Sequence, residues 1–347
     1  MNVAITTYST AQNYGALLQA HALQKYITDC GHLCDLVFMS KPDEKWFKPR
    51  KELLDIIISL ASFRQGKKRI ERYRAFRKNY LRYTSPLKDG ESYHQLNSKY
   101  QAFITGSDQV WNCLGRMNPV FYLQFANNDK LKIAYAPSFG KPYIPELLRE
   151  DVIKALQRFN YISVREKSGA KLINELIGIN PPIVVDPIFL LSTNYWKKIA
   201  TPIDESEYVF VYSTQKSDAL NRAVKQFTKE HPIKIISTYA IPGCKSVVRK
   251  DIGPLEFLGY IRYAKYVIST SFHATAFSIV FEKDFSTIPH STTGARVTDL
   301  LEDVNLEESI WKPGKSFPIC NYTDAGLKRL QNRIAASKQY LKECLHD

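Results

Sequence analysis

The sequence contains no Cys-x-x-Cys pair. Its six cysteines, Cys30, Cys34, Cys113, Cys244, Cys320 and Cys344, share no zinc-ligand spacing with its seven histidines. Dithiol redox centres and zinc ribbons are thereby excluded, and reduced, structural thiols are expected. Neither a metal nor a cofactor is expected. No apolar run reaches bilayer length; the stretch from Leu53 to Phe63 is among the longest and carries Asp55. Met1 to Tyr8 shows no basic leader or cleavable apolar core, so a cytoplasmic protein is expected. The first strand-to-helix turn lacks the Gly-x-Gly-x-x-Gly of dinucleotide folds, and no nucleic-acid-binding motif accompanies the basic charge.

What the chain does have is length, apolar material and positive charge. At 347 residues it exceeds the usual size of one core, and 44% hydrophobic residues suffice for two. A formal charge of +14 calls for anionic partners or substrates. Lys41 to Arg82 alone holds 14 Lys and Arg against 5 Asp and Glu. There an apolar block, LLDIIISLASF, runs into RQGKKRIERYRAFRKNYLRY. Apolar and cationic surfaces side by side suit an anionic membrane; a helical insertion with a solvated basic face is the plainer alternative.

Elsewhere strands and helices alternate, which predicts α/β domains. Strand Asn2 to Thr7, the turn Ser9 to Gly15, a helix to Cys30 and strand Leu33 to Met39 open the chain. Asn13 and Gly15 either shape that turn or hold a ligand against the helix start. Strand Ala102 to Thr105 stops at Gly106-Ser107-Asp108, which either caps a helix or faces a ligand. Further strands end at Arg165-Glu166 and at Asp186-Pro187. Arg165 suits bidentate contact with a carboxylate or phosphate, or an ion pair with a neighbour. After a polar connection from Leu191 to Glu207, a second series begins at Tyr208 and centres on YVISTSFHATAFSIVF. It places Ser271 and His273 at a helix start, where a ring can transfer a proton or bind an anion, with Lys283 and Arg296 downstream. The expected domains are residues 1–191, with the basic insertion 41–83, and residues 192–347, whose last helix, 323–346, has the option of packing back on the first domain.

In order along the chain, ITGSDQVWN, KIAYAPSFG, ISVRE with Gly169, VVDP, STSFHATAFSI and Gly294-Ala295-Arg296 resemble the polysaccharide pyruvyl transferase family from about Asn2 to Leu306. The resemblance implies an α/β fold of two Rossmann-like domains facing a cleft, similar to the GT-B glycosyltransferases. It also implies transfer of pyruvate from phosphoenolpyruvate to a sugar, usually as a cyclic ketal, in bacterial capsule, exopolysaccharide or cell-wall synthesis. The donor belongs to the second domain, and a lipid-linked or nucleotide-linked sugar acceptor to the first. A place at the inner face of the cell membrane follows, with residues 41–83 as the contact.

That chemistry needs an acid, a base and cations. His273 is assigned a proton at the donor, and Asp108 the acceptor hydroxyl, with Glu166 as competing base. Arg165, Arg296, Ser271, Ser107, Asn13 and Gly15 are the substrate-binding candidates. Where some members resemble Arg-x-His-Gly, this chain has Ser271-Phe272-His273-Ala274, so Arg296 or Lys283 is asked to replace the missing arginine. Two other functions fit: a GT-B-like glycosyltransferase using a nucleotide sugar, and a non-catalytic assembly protein that binds polysaccharide or membrane.

Overall fold

Short runs of Val, Ile, Tyr and Phe between Gly, Ser and Asp turns build strands, and longer periodic runs build the helices between them. The computed structural model describes residues 1–39, 53–86, 92–113, 116–215, 217–289 and 294–346, with side chains of 53–62 left aside. In chain order the elements are β1 (Asn2–Thr6), α1 (Tyr14–Asp29), β2 (Leu33–Leu36), α2 (Leu53–Tyr80), β3 (Ala102–Thr105), β4 (Leu131–Ala134), α3 (Glu146–Leu156), β5 (Tyr161–Ile162) and α4 (Lys167–Ile177). They continue with α5 (Thr193–Ile199), β6 (Tyr208–Tyr212), α6 (Asp218–Glu230), β7 (Lys234–Ser237), β8 (Ser246–Val248), α7 (Pro254–Tyr263), β9 (Tyr266–Ser269), α8 (Phe272–Val280), β10 (Asp284–Thr287), α9 (Ala295–Val304) and α10 (Asp324–His346).

Two parallel sheets result, ordered β2-β1-β3-β4-β5 and β10-β9-β6-β7-β8. Helices cover both faces of such sheets, which is why β6, YVFVY, is buried at every residue. In each sheet the winding reverses beside the first strand, between β1 and β3 and again between β6 and β9. Ligands of open α/β sheets bind outside the carboxyl ends of the strands at such points. This topology singles out two places in the chain, one per sheet.

The chain divides into a first unit of Met1–Pro42, Tyr80–Leu191 and Leu327–Asp347, and a second of Asp43–Asn79 and Ser192–Gly326. Of the basic segment 41–83, counted by sequence order with the first domain, residues 41–52 lie outside the described residues, α2 up to Asn79 groups with the second unit, and Tyr80 to Tyr83 stay with the first. Arg72 on α2 pairs with Asp251 at 3.2 Å and with Glu256 at 3.1 Å. A methyl group added at Gly253 would lie 2.6 Å from the Arg72 Cβ, so only glycine lets the two backbones approach. The end of α10 is tied into the first unit. The Val185 amide donates to Ser337 Oγ at 3.0 Å, the Tyr340 hydroxyl donates to the Ala134 carbonyl at 3.2 Å, and Leu341 and Leu345 are buried.

The structure departs from the sequence expectation in local places. Ile183 makes one bridge with Val164, and Ile183 to Val185 is otherwise no strand. The polar connection after Leu191 contains α5, capped by Ser192 Oγ on the Tyr195 amide and anchored by the buried Trp196. Residues 106–113 form no helix, so Ser107 and Asp108 cap none.

Candidate functional site

In the first unit, β1 and β3 are stitched together just past their carboxyl ends. Thr7 Oγ1 donates to the Ser107 carbonyl at 2.9 Å and accepts from Gln19 Nε2 of α1 at 2.8 Å. Gly106 makes this approach possible, since a Cβ there would lie 3.2 Å from Ile5, Leu23 and Thr7. The chain then enters Asp108 with φ of 80°, a left-handed conformation costing an L-residue about 1–3 kcal/mol. Its carbonyl accepts from the Ser138 amide at 2.9 Å, and its Oδ1 from the Gln109 amide at 2.9 Å. Strain held by such bonds fixes a partly exposed carboxylate at the topological reversal.

Beneath Asp108 lies a buried ionic group. Arg165 Nη1 donates to Asp186 Oδ2 at 2.6 Å and to Ser107 Oγ at 3.2 Å, and Ser107 Oγ in turn donates to Asp186 at 3.1 Å. Asp108 lies 3.9 Å from Arg165 Nη2, and Glu166 lies 3.8 Å from its Nε. Ser138 Oγ donates to Glu166 Oε1 at 2.6 Å. Burial pulls the Arg165 pKa down, but Asp186, Glu166 and Asp108 outweigh it and hold the guanidinium above its ordinary value. The side chains of Arg165, Glu166 and Asp186 are 3%, 3% and 0% exposed. Ser107 and Arg165 are therefore internal partners of carboxylates in this structure rather than an open anion grip.

Asn13 Oδ1 caps α1 by accepting from the Ala16 amide at 3.2 Å, and Gly15 is buried in the first turn behind it. Tyr8, just past β1, is 41% exposed and meets Phe121 edge to face at 4.9 Å. Its phenol is raised above the ordinary value by partial burial and then by Asp108, so it remains a hydrogen-bond donor beside that carboxylate.

The reversal in the second unit is built from hydroxyls and helix starts. Ser269 Oγ donates to the Tyr212 carbonyl at 2.7 Å, and Ser213 Oγ lies 2.7 Å from Thr270 Oγ1. Ser271 caps α8: its Oγ accepts from the Ala274 amide at 3.4 Å, and its own amide donates to Ser269 Oγ at 2.9 Å. This puts His273 in the first turn, buried, with its ring edge-on to Phe272 at 5.2 Å. Thr275 ties the turn to β10 through Thr287 Oγ1 at 3.0 Å. Arg296 Cζ lies 5.7 Å from the Phe272 ring centroid. It stands in the first turn of α9, where the helix dipole disfavours a cation and an anion would relieve it.

The structure thus brings Ser107, Asp108, Arg165 and Glu166 together, and Ser271, His273 and Arg296 together. Lys283 joins neither group, because it immediately precedes β10 at the amino end of the strands, whereas Ser271 follows β9 at their carboxyl end. Burial lowers its pKa, and Tyr322 donates to its carbonyl at 2.7 Å. As a replacement for the missing arginine it is misplaced, which leaves Arg296. Ser291 to Thr293 lie outside the described residues.

The sequence did not single out Asp186 or Ser138 as site residues, nor Tyr8 or Ser213. Asp186-Pro187 was visible as a strand exit and Ser138 only within KIAYAPSFG, but their partners are 21 and 28 positions away and no local pattern pairs them. A cavity of about 560 Å³ beside Asp35, Tyr83 and Tyr100 includes none of the candidate residues. Among the described residues no three His, Cys, Asp or Glu side chains are gathered to hold a metal ion.

Comparison with known proteins agrees with this architecture. A structure assigned as a UDP-N-acetylglucosamine 2-epimerase from Listeria monocytogenes superposes with a TM-score of 0.50 at 10% identity, covering 99% of this chain and 97% of its own. The S. aureus MnaA–UDP co-structure gives 0.50 at 11% identity, covering 98% and 88%. Such likeness speaks to the fold alone, two Rossmann-like α/β domains similar to the GT-B type. No curated protein sequence matches the chain. The model of the family described as polysaccharide pyruvyl transferase matches residues 13–292, a span holding every candidate residue the sequence singled out except Arg296. The chain belongs to the polysaccharide pyruvyl transferase family.

Proposed function

We propose that this transferase moves pyruvate from phosphoenolpyruvate to a pair of hydroxyls on a sugar of a bacterial capsular or exopolysaccharide precursor, forming a cyclic ketal. The observation that carries the reading is the start of α8, where a Ser271-capped turn presents His273 and stands beside Arg296. Phosphoenolpyruvate bears a phosphate and a carboxylate, which suit a helix start and a guanidinium. Protonation of the methylene carbon, assigned to His273, makes the adjacent carbon electrophilic. One sugar hydroxyl adds and loses its proton, phosphate departs with a proton, and the second hydroxyl closes the ketal. Asp108 is the base for an acceptor hydroxyl, with Glu166 as its competitor. Arg165 takes a positioning role here, holding both carboxylates, and Tyr8 offers an aromatic surface to the sugar. The acceptor is lipid-linked or nucleotide-linked, and residues 41–83 contact an anionic membrane surface.

Phosphate release from phosphoenolpyruvate, measured with a panel of such sugars, tests this. Release that needs a sugar, adds a pyruvyl mass to it and disappears in His273→Ala is the expected result. No release with any sugar, together with thermal stabilisation by a nucleotide sugar, would instead establish the glycosyltransferase reading that Ser271, standing in place of an arginine, leaves open. Binding of polysaccharide without turnover of either donor would point to an assembly protein.

A further inference from the structure

The described turns of α2 divide sharply by exposure. Tyr73 and Phe76 are buried at 0% and 1%, and Arg72 is turned to Asp251 and Glu256. Arg64, Lys67, Lys68, Glu71, Arg74, Ala75 and Lys78 are all exposed. These positions are spaced i, i+3, i+4, i+7, i+10, i+11 and i+14, so they share one face of the helix. At about 100° per residue they span an arc of about 120°, and from Arg64 to Lys78 the stripe is about 21 Å long. Five cations and one carboxylate occupy it, of which Lys68, at the side nearest Arg72, also lies 3.7 Å from Asp251. Phe63, at the edge of the stripe, is 51% exposed.

We infer that this face of α2 docks the protein on an anionic lipid bilayer, its cations against the headgroups and Phe63 at the level of the headgroup boundary. Phe63, exposed beside the stripe, adds apolar surface that a bilayer can take up and a soluble polyanion cannot. The same helix begins with the sequence LLDIIISLASF, apolar material that a nucleic acid or an anionic glycan has no use for. Cations with an exposed aromatic along one helix are the composition of interfacial helices. The structural reason that only part of the basic segment serves is the anchoring by Arg72 on Asp251 and Glu256, with Lys68 3.7 Å from the same Asp251, which fixes the orientation of the face that carries Arg64, Lys67, Arg74 and Lys78. The inference names the face behind the membrane contact of the proposed function. Its test uses neither donor nor acceptor, so its failure leaves pyruvyl transfer standing.

The experiment is co-sedimentation of the full chain with phosphatidylcholine vesicles containing or lacking 30% phosphatidylserine, at low and high salt. Binding is expected only with phosphatidylserine and is expected to fall as salt rises. The triple variant Arg64→Gln, Lys67→Gln, Lys78→Gln should partition about a hundredfold more weakly, each cation near such a surface contributing about fivefold. A control triple, Lys154→Gln, Lys171→Gln, Lys342→Gln, on α3, α4 and α10, should bind as the wild type does. Equal binding by both triples, or no binding by the wild type, overturns the inference. So does retention on dextran sulfate at the affinity measured for the vesicles, which would make the face a general polyanion surface.

Discussion

The two topological reversals carry opposite electrostatics on nearly the same frame. At β1 and β3, charge is abundant but internally matched: Arg165 is surrounded by Asp186, Glu166 and Asp108 and is almost wholly removed from solvent. At β6 and β9, the walls are serines and threonines, and positive character comes from the α8 start and Arg296. A buried guanidinium already paired with a carboxylate has little left for a ligand, whereas a helix start ringed by hydroxyls has its attraction to spend on an anion. An arginine at a strand end is therefore internal scaffold in one unit, while Arg296 in the other stands at a helix start, where an anion would be attracted.

On that contrast, substitutions at the second unit's reversal should remove turnover and spare folding, and those in the buried ionic group around Arg165 should cost folding first. The largest effect expected is at His273. Its replacement by Ala lowers phosphate release from phosphoenolpyruvate by about 10²–10⁴-fold, with an unchanged denaturation midpoint. An unfolded variant, or one of full activity, would break the contrast at once. Next comes Asp186→Ala, which leaves Arg165 buried without its 2.6 Å partner and should lower unfolding stability by about 3 kcal/mol in urea titrations. Stability equal to wild type would mean that Arg165 is held by something other than this pair.

The third prediction concerns pH. Burial pushes the His21 ring down to about 4 from the ordinary 6.5, with the Tyr80 carbonyl bond only partly offsetting it. The unfolded chain therefore takes up a proton first. The full contribution is present above about pH 6.5, and about 3 kcal/mol drains away as the pH falls towards 4. Denaturation curves across that window should show the loss, and His21→Gln should flatten it. The smallest effect is at Tyr8. Replacement by Ala should raise KM for the acceptor about tenfold, with KM for phosphoenolpyruvate unchanged, and Tyr8→Phe should recover most of it. A change in the donor KM instead would move Tyr8 out of the acceptor role.

Much of this was readable in one dimension. Strand ends, the helix starts behind Asn13 and at Ser271, and the return to α/β rhythm at Tyr208 depend on residues within a few positions, and local chemistry decides them, although the cap offered at Ser107 and Asp108 did not form. The family signature likewise sits in contiguous blocks. Asp186 reaching Arg165, Ser138 reaching Glu166 and Arg72 reaching Asp251 depend on sheet order and on separations of 21, 28 and 179 residues. Nor could spacing show that Lys283 falls at the amino end of its strand, away from the reversal, while Arg296 falls beside Phe272. What a side chain is attracted to is written in its type. Whether that attraction is already satisfied depends on which neighbours the folded chain delivers, and burial of Arg165 with Asp186 is the case where the two answers part.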